Sequence, residues 1–502
     1  MATASPMHKK AMLLAALAVS LGRATSLEAQ QLHHHMSDKA ATAPSGHPLV
    51  DLHHPAQQDA QQQRTEEIGQ RYLPPPALPP QAVRVEQAPV ETGQSLDLPT
   101  LLSLACQNNP TLRQARLQIS AELAKAQQAG LYPNPVLTYL GEQVFVDVPG
   151  DTDSPGEFQG AEVSQRIVTA NKLRLSREKY LRRAHVTEHL ATAQQFRVCN
   201  DVRIHFYRAL AARQRVELHN ELLKTAEDAA VTARELYNLG QAARFDVHKA
   251  NVQLQEARLA WQRAEHDYRA RMRELSALIG IDVSQANLEG ELAETDTPWT
   301  FEEARQHLLS SSPLLLAARA KLDADRATIR REEVQWVPDL IIAGGPGYNF
   351  DAGETVANAS VSLEIPLFDR NQGTIAQARA DYQRQLNEIR RIELQLERML
   401  AGVYRDYALA YEHSLEYHQK IVPEAEAMYR ELLQSYKANR AEWPDVLEAH
   451  RYYVQARATT TDFDEQLRRS EVMIQGFLLH DGLMPAEGAT PAGHIDAVPK
   501  PR

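Results

Sequence analysis

The chain has 502 residues, 43% hydrophobic and 24% charged, with a formal net charge of -11. That balance suits a large folded protein with much wetted surface and speaks against nucleic acid as a partner, since phosphates call for a basic face. After the N-terminal region no run of about eighteen apolar residues occurs, which excludes a spanning helix there but not barrel strands, whose hydropathy signal is weak.

Lys9 and Lys10 precede an apolar stretch, Ala11 to Leu21, followed by small residues at Gly22, Ala24 and Ala29. Residues 1–24 therefore read as an export signal. No cysteine follows the stretch, so the usual lipoprotein anchor is not expected. From 25 to 95 the chain is rich in His, Gln, Pro and Ala and poor in large apolar groups. Such a linker buries too little surface to offset chain entropy and is expected to be disordered, with polyproline character at Pro74-Pro75-Pro76 and Pro79-Pro80. Six of the 19 histidines lie here: His33, His34, His35, His47, His53 and His54. Neutral imidazoles bind Zn, Cu, Ni or Co, so the segment is a candidate weak metal-collecting tract, unless it is simply a biased linker.

The remainder aligns with itself as two repeats of about two hundred residues, 96–290 and 291–482. The first opens at Asn108-Asn109-Pro110, after which Leu112, Ala115, Ile119 and Leu123 share one helical face. Pro133 and Pro135 end that helix. Val136 to Val146 and Ala161 to Val168 read as strands, joined by the turn-rich stretch from Pro149 to Gly156. A proline-free helix runs from Lys172 to Tyr237. The punctuation Tyr237-Asn238-Leu239-Gly240, then Phe245-Asp246-Val247, leads into a return helix ending near Gly280. Cys106 and Cys199, on helices flanking the strands, form no CxxC pair and no metal-spaced set. An exported chain can oxidise them, so a disulfide is conceivable.

The second repeat opens at Ser311-Ser312-Pro313, with Leu314, Ala317, Ala320 and Ala324 on one face and a break at Pro338. Strands are expected over Leu340 to Phe350 and Val356 to Leu367. Val361, Leu363 and Ile365 alternate with Ser360, Ser362 and Glu364, which leaves one face apolar. A coiled-coil-like helix follows from Gln372 to Tyr436, with a kink expected at Pro423. It ends in Tyr436-Lys437-Ala438-Asn439, then Pro444-Asp445-Val446-Leu447. Tyrosine to aspartate is nine residues in both repeats. Asp246 and Asp445 thus stand where a helix-capping or first-turn carboxylate belongs. The tail, 483–502, is expected to be disordered.

Four strands of about ten residues can cross a membrane when tilted, but four cannot close a barrel, and an open edge is not tolerated in lipid. Three copies would supply twelve strands. Helices of about 65 residues, roughly 100 Å long, would continue the barrel as a second hollow cylinder. The expected fold class is mainly α with a small β part, internally duplicated: a long α-helical coiled-coil barrel plus four strands per chain in a trimeric 12-stranded transmembrane β-barrel.

The duplication, the strand-to-helix boundary Ile365-Pro366-Leu367-Phe368-Asp369 and the twice-used Tyr-xx-Gly/Asn-xxxxx-Asp-Val turn resemble the TolC family of outer-membrane efflux channels, over about Leu96 to Leu483. The resemblance implies a passive homotrimer in outer-membrane lipid with a large periplasmic part, opened by a periplasmic adaptor (membrane-fusion) protein and an inner-membrane pump. It implies no cofactor and no catalysis. Asp445 and Glu448 match two acidic residues whose rings narrow the periplasmic entrance, and such rings favour cations. Asp246 and Tyr436 match a pair that ties adjacent coils shut. A closing arginine of the family falls at Ala441, beside Arg440. Tyr237, Gly240, Val247, Asn439 and Val446 fall on the adaptor-contacting tips. The histidine tract and Pro133-Asn134-Pro135 point toward the heavy-metal, cation-efflux branch, which works with resistance-nodulation-division (RND) pumps. A type I protein-secretion outlet and a periplasmic coiled-coil scaffold outside any membrane are the alternatives.

His185-Val186-Thr187-Glu188-His189 fits the inverted zinc-peptidase signature. It lies inside a long helix, however, and its counterpart from Arg384 to Glu388 has no histidine, so no enzyme is expected. Gly344-Gly345-Pro346-Gly347 precedes no helix; strand turns account for its glycines.

Overall fold

A computed structural model describes residues 95–142, 156–292, 298–438, 440–490 and 494–495, all within the unit Leu73–Arg502. The export signal and residues 25–94 of the linker, with its six histidines, lie outside the described residues.

The first repeat runs β1 (Ser95–Leu96), α1 (Leu98–Asn108), α2 (Pro110–Ala129), β2 (Val136–Glu142), β3 (Phe158–Ile167), α3 (Lys172–Asn238) and α4 (Arg244–Ile279). The second runs β4 (Asn287–Leu288), α5 (Phe301–Ser311), α6 (Pro313–Glu333), β5 (Leu340–Asn349), β6 (Glu354–Leu363), α7 (Gln372–Glu416), a π-helical turn (Tyr417–Ile421), α8 (Val422–Lys437) and α9 (Trp443–Gln475). Local chemistry sets the boundaries. Asp97 caps α1 by accepting the Thr100 N–H, and Asn109 caps α2 by accepting that of Thr111. Thr300 and Glu303 form a reciprocal capping box on α5.

Both long helices are entered through a left-handed asparagine, Asn171 (φ 54°) and Asn371 (φ 62°). Asparagine tolerates that conformation better than other side chains with a Cβ. Asn371 is further held by its amide, which donates to the Glu332 carbonyl at 2.9 Å. At the other junction Asp339, from the entrance to β5, accepts the Thr169 N–H at 3.0 Å and the Lys172 ammonium at 2.8 Å. The exit of the first hairpin is thus pinned to the start of the second.

The hairpins merge into one antiparallel sheet of order β2-β3-β5-β6. Its register puts Leu137 opposite Val163 and Ile342 opposite Val361, on one apolar face. Thr138 lies opposite Glu162 and Ala343 opposite Ser360, on a more polar one. β6 stops at Leu363, short of the expected Leu367, because Pro366 has no N–H and pulls Ile365 out of the ladder. The Gly344-to-Gly347 run lies in mid-strand rather than in a turn. A Cβ on Gly347 would meet the Phe158 ring at 2.1 Å and one on Gly345 the Ala161 carbonyl at 1.8 Å, so these glycines permit close strand approach.

The largest core joins α1, α3, the end of α4 and the segment from Val283 to Leu292, around Leu101, Val198, Phe206, Leu275 and Ile279. Helix α3 packs against α1, α2, α4, α6 and α9. Coil one is α3 with α4; coil two is α7 and α8 with α9; α3 joins α9. Pro423 cannot donate to the carbonyl four residues back, and the irregularity is taken up by the π-helical turn just before it.

The tail is irregular in backbone but partly docked, which corrects the expectation of disorder for its described residues. Ala486, His494 and Ile495 are buried. His494 Nε2 lies 3.0 Å from Asp325 Oδ1, and the Ile495 N–H donates to Asp381 at 3.0 Å. Buried hydrogen bonds to carboxylates offset the entropy of ordering this short stretch.

Candidate functional site

The two turns that end the long helices collect most of the sequence-derived candidates. At the first, Gly240 takes φ +75° and its N–H donates to the Tyr237 carbonyl, while the Gln241 N–H donates to that of Leu236. Only a residue free to adopt the left-handed region closes a helix this way without strain. Asp246 sits in the first turn of α4, where its Oδ2 accepts the Ala243 N–H at 2.9 Å. Tyr237 is exposed and Val247 half-buried.

The second turn is closed differently. The Tyr436 ring packs edge-on against Trp443 at 4.8 Å between centroids. Asp445 and Glu448 project, exposed, from the start of α9. Val446 does not: it is 0% exposed, buried together with Leu447. Its assignment to a contact surface is therefore corrected. As the fourth residue of α9 it falls on the inward helical face with Ala449 and His450. Asn439 lies outside the described residues. Among the described residues Asp246 and Tyr436 are not hydrogen-bonded to each other within the chain. His185 Nδ1 lies 3.0 Å from Glu188 on an exposed face of α3.

Two features were not singled out from the sequence. The first is a pair of equivalent histidines, His219 and His418, each eighteen residues before the tip tyrosine. His418 Nε2 lies 3.0 Å from Asp464 on α9, and the same carboxylate accepts the Ser414 hydroxyl at 2.6 Å. The bond to Asp464 raises the His418 pKa, against the opposing effect of burial. His219 behaves oppositely: burial, then the Arg215 charge, lowers its pKa. Burial also lowers that of His450, whose ring stacks on Tyr429 at 4.6 Å.

The second feature is a pair of open edges. On α4, Phe245, Val252 and Leu259 recur every seven residues and are 70%, 58% and 65% exposed. In the second coil a groove of about 560 Å³ runs between the π-turn, α8 and α9, lined by Tyr417, Ile421, Met428, Tyr452 and Ala456. The contacts order the helices α4, α3, α9, α7/α8, so the seam lies on the first helix of the row and the groove within the last pair. The sheet likewise ends in two edge strands, β2 and β6, each paired on one side only among the described residues. The heptad spacing of the seam was legible; its exposure was not.

Residues 101–281 and 304–478 match the family model described as outer membrane efflux protein. The chain is 28% identical over 378 residues to the cobalt-zinc-cadmium resistance protein CzcC of Cupriavidus metallidurans, covering 74% of this chain and 86% of that one. It is 25% identical over 318 residues to the nickel-cobalt-cadmium resistance protein NccC of Alcaligenes xylosoxydans xylosoxydans, covering 58% and 68%. Among solved structures, the outer membrane protein VceC of Vibrio cholerae superposes with a TM-score of 0.61 at 17% identity, covering 76% of this chain and 96% of that one.

Proposed function

From the premise that this chain belongs to the outer membrane efflux protein family, we propose that it works as a homotrimeric outlet for divalent metal cations. Membership makes it an outer-membrane efflux channel with a large periplasmic part, rather than a scaffold outside the membrane. The trimer, the cargo, the partners and the gate are the proposal.

The pair of open edges carries the trimer. A seam on the first helix of the row and a groove in the last pair are complementary in kind, and so are the open edges of β2 and β6. A head-to-tail joint between unlike edges closes into a ring when the rotation allows it. Three copies then pair every strand edge in lipid, where unpaired backbone is costly. The same joint covers Phe245, Val252 and Leu259 with a neighbouring α8–α9 pair.

The cargo reading is supported by the metal-resistance relatives and by the exposed carboxylates Asp445 and Glu448, which a threefold axis would gather into rings favouring cations. Asp246 and Tyr436, unlinked within one chain, are free to meet across neighbouring coils. A periplasmic adaptor would engage the tips around Tyr237, Gly240 and Val247, and an RND-type inner-membrane pump would supply the energy.

Native mass spectrometry of protein extracted from outer membranes should give three copies, and planar bilayers should show cation-selective conductance. D445N/E448Q should lower that selectivity. A monomer would end the trimer proposal, and cobalt, zinc and cadmium tolerance unchanged on deleting the gene would end the cargo proposal.

A further inference from the structure

Cys106 and Cys199 come from different elements, α1 and α3, and from positions 93 residues apart in sequence. Both are buried in the same core cluster, among Leu101, Ala105, Val198 and Val202. Both carry free, buried thiols, and the helices that hold them, α1 and α3, pack directly on one another. The intervening chain holds α2 and the whole hairpin β2–β3. Nothing comparable exists in the second repeat, where aligning Asn109-Pro110 with Ser312-Pro313, and the starts of α3 and α7, puts Leu309 and Met399 at these places.

Cysteine commonly serves as a small buried hydrophobe. That use does not require one on each of two packed helices within a single core cluster. The chain is moreover an outer-membrane protein and so crosses an oxidising compartment, where paired thiols are oxidised. We infer that Cys106 and Cys199 are joined as a disulfide in the exported protein, a covalent staple that fixes α1 to α3 and closes a loop around the first membrane hairpin.

The step balances with a disulfide donor of the thiol–disulfide oxidoreductase class. One cysteine thiolate attacks the donor disulfide and forms a mixed disulfide, releasing one donor sulfur as a thiolate. The second cysteine thiolate then attacks the first cysteine's sulfur and displaces the other donor sulfur. Two electrons and two protons leave the chain, and the donor becomes a dithiol. In the folded core both thiols are buried, out of reach of a disulfide donor. Exchange requires access to the sulfur that is attacked, so oxidation belongs to the folding stage, before α1 seats on α3. Once formed, the bond is shielded from reductants.

The test uses full-length protein from outer membranes, denatured in N-ethylmaleimide without reductant, digested and mapped by mass spectrometry. The expected result is one cross-linked peptide pair containing Cys106 and Cys199, two hydrogens lighter than the sum of its parts, with no maleimide on either cysteine. Both cysteines alkylated would overturn the inference. As a check that does not depend on a cysteine variant folding, native protein treated with dithiothreitol should keep the cross-link, and protein unfolded in the same reductant should lose it. Equal loss from native and unfolded protein would overturn the claim that the staple is sealed in the core. C106S and C199S should each abolish the cross-linked peptide and lower the melting temperature of the assembled channel.

Discussion

The two repeats use the same order of elements and differ most along their long helices. In the first, α3 runs 67 residues without interruption and buries side chains along most of its length. In the second, the same span is divided into 45, 5 and 16 residues by the π-turn, and α8 buries no side chain. The first tip closes on a glycine and leaves Leu239 and Phe245 exposed; the second closes on Tyr436 against Trp443 and buries Val446. Duplication has thus produced one repeat whose long helix acts as a spine and one whose helix α8 is only lightly held within its own chain. Asp445 and Glu448, the carboxylates proposed for the entrance, stand on α9, the helix that pairs with α8. π-turns often mark functional irregularities in helices, and here the turn is anchored to α9 through Asp464.

The sharpest way to break this comparison is at equivalent valines. Val446→Asp puts a carboxylate into a fully buried site and should cost about 3–5 kcal/mol locally. Val247→Asp, at the half-buried counterpart, should cost well under ~1 kcal/mol. Limited proteolysis of the assembled channel should then nick V446D near residues 438–443 and leave V247D intact. Equal resistance would mean that the two tips are packed alike.

Next in size is the seam. Phe245→Lys with Leu259→Lys removes apolar burial of about 2 kcal/mol per side chain at each joint. It adds charge facing a mostly apolar groove. The trimer should fall apart to monomers in native mass spectrometry while helix content by circular dichroism is kept. The mirror experiment, Met428→Lys in the groove, should do the same. An intact trimer in both variants would separate the open edges from assembly.

A smaller effect distinguishes His219 from His418. The His418 pKa is raised by Asp464, so the pair stabilises fully below the unfolded histidine value, about 6.5, and fades as pH rises through the raised value. His219 has a lowered pKa, so its contribution is present above about 6.5 and is lost as pH falls through the lowered value. Acidification should tighten the π-turn of the second coil and loosen the matching turn of the first. Hydrogen exchange near 414–422 should slow between pH 8 and pH 6, and exchange near 215–223 should rise at still lower pH. Asp464→Asn should abolish the first trend at a cost of about 1 kcal/mol at pH 6, limited because the His418 ring is half exposed. Parallel trends at both sites would refute the assignment.

The elements that read well from the sequence are those whose signal is periodic or punctuated. The repeat, the hairpins and both tips follow from proline breaks, alternation at Ser360 to Leu363 and the shared tyrosine-to-aspartate spacing. What could not be read depends on which neighbour a side chain meets. Val446 and Val247 occupy the same motif position, yet only Val446 is buried. His494 looked like part of a loose tail because nothing near it in sequence announces Asp325, 169 residues away. The Gly344-to-Gly347 run suggested turns because glycine marks both bends and close backbone approach, and only the position of Phe158 decides between them.

The smallest effect sharpens the comparison at the tips themselves. Gly240 has φ +75° and no heavy atom within 4 Å of a built Cβ, so a side chain there meets backbone strain and no clash. Gly240→Ala should therefore cost only about 1 kcal/mol. Gly240→Asn should cost less, because asparagine visits the left-handed region more readily. The second repeat carries Asn439 at the equivalent point of its motif. Hydrogen exchange over residues 238–243 should accelerate in the order wild type, Asn, Ala, with conductance unchanged in all three. If Ala and Asn accelerated equally, the turn would be governed by something other than backbone φ. If conductance shifted in either variant, the first tip would take part in gating along with the second, and the division of labour between the repeats would be less complete than their helices suggest.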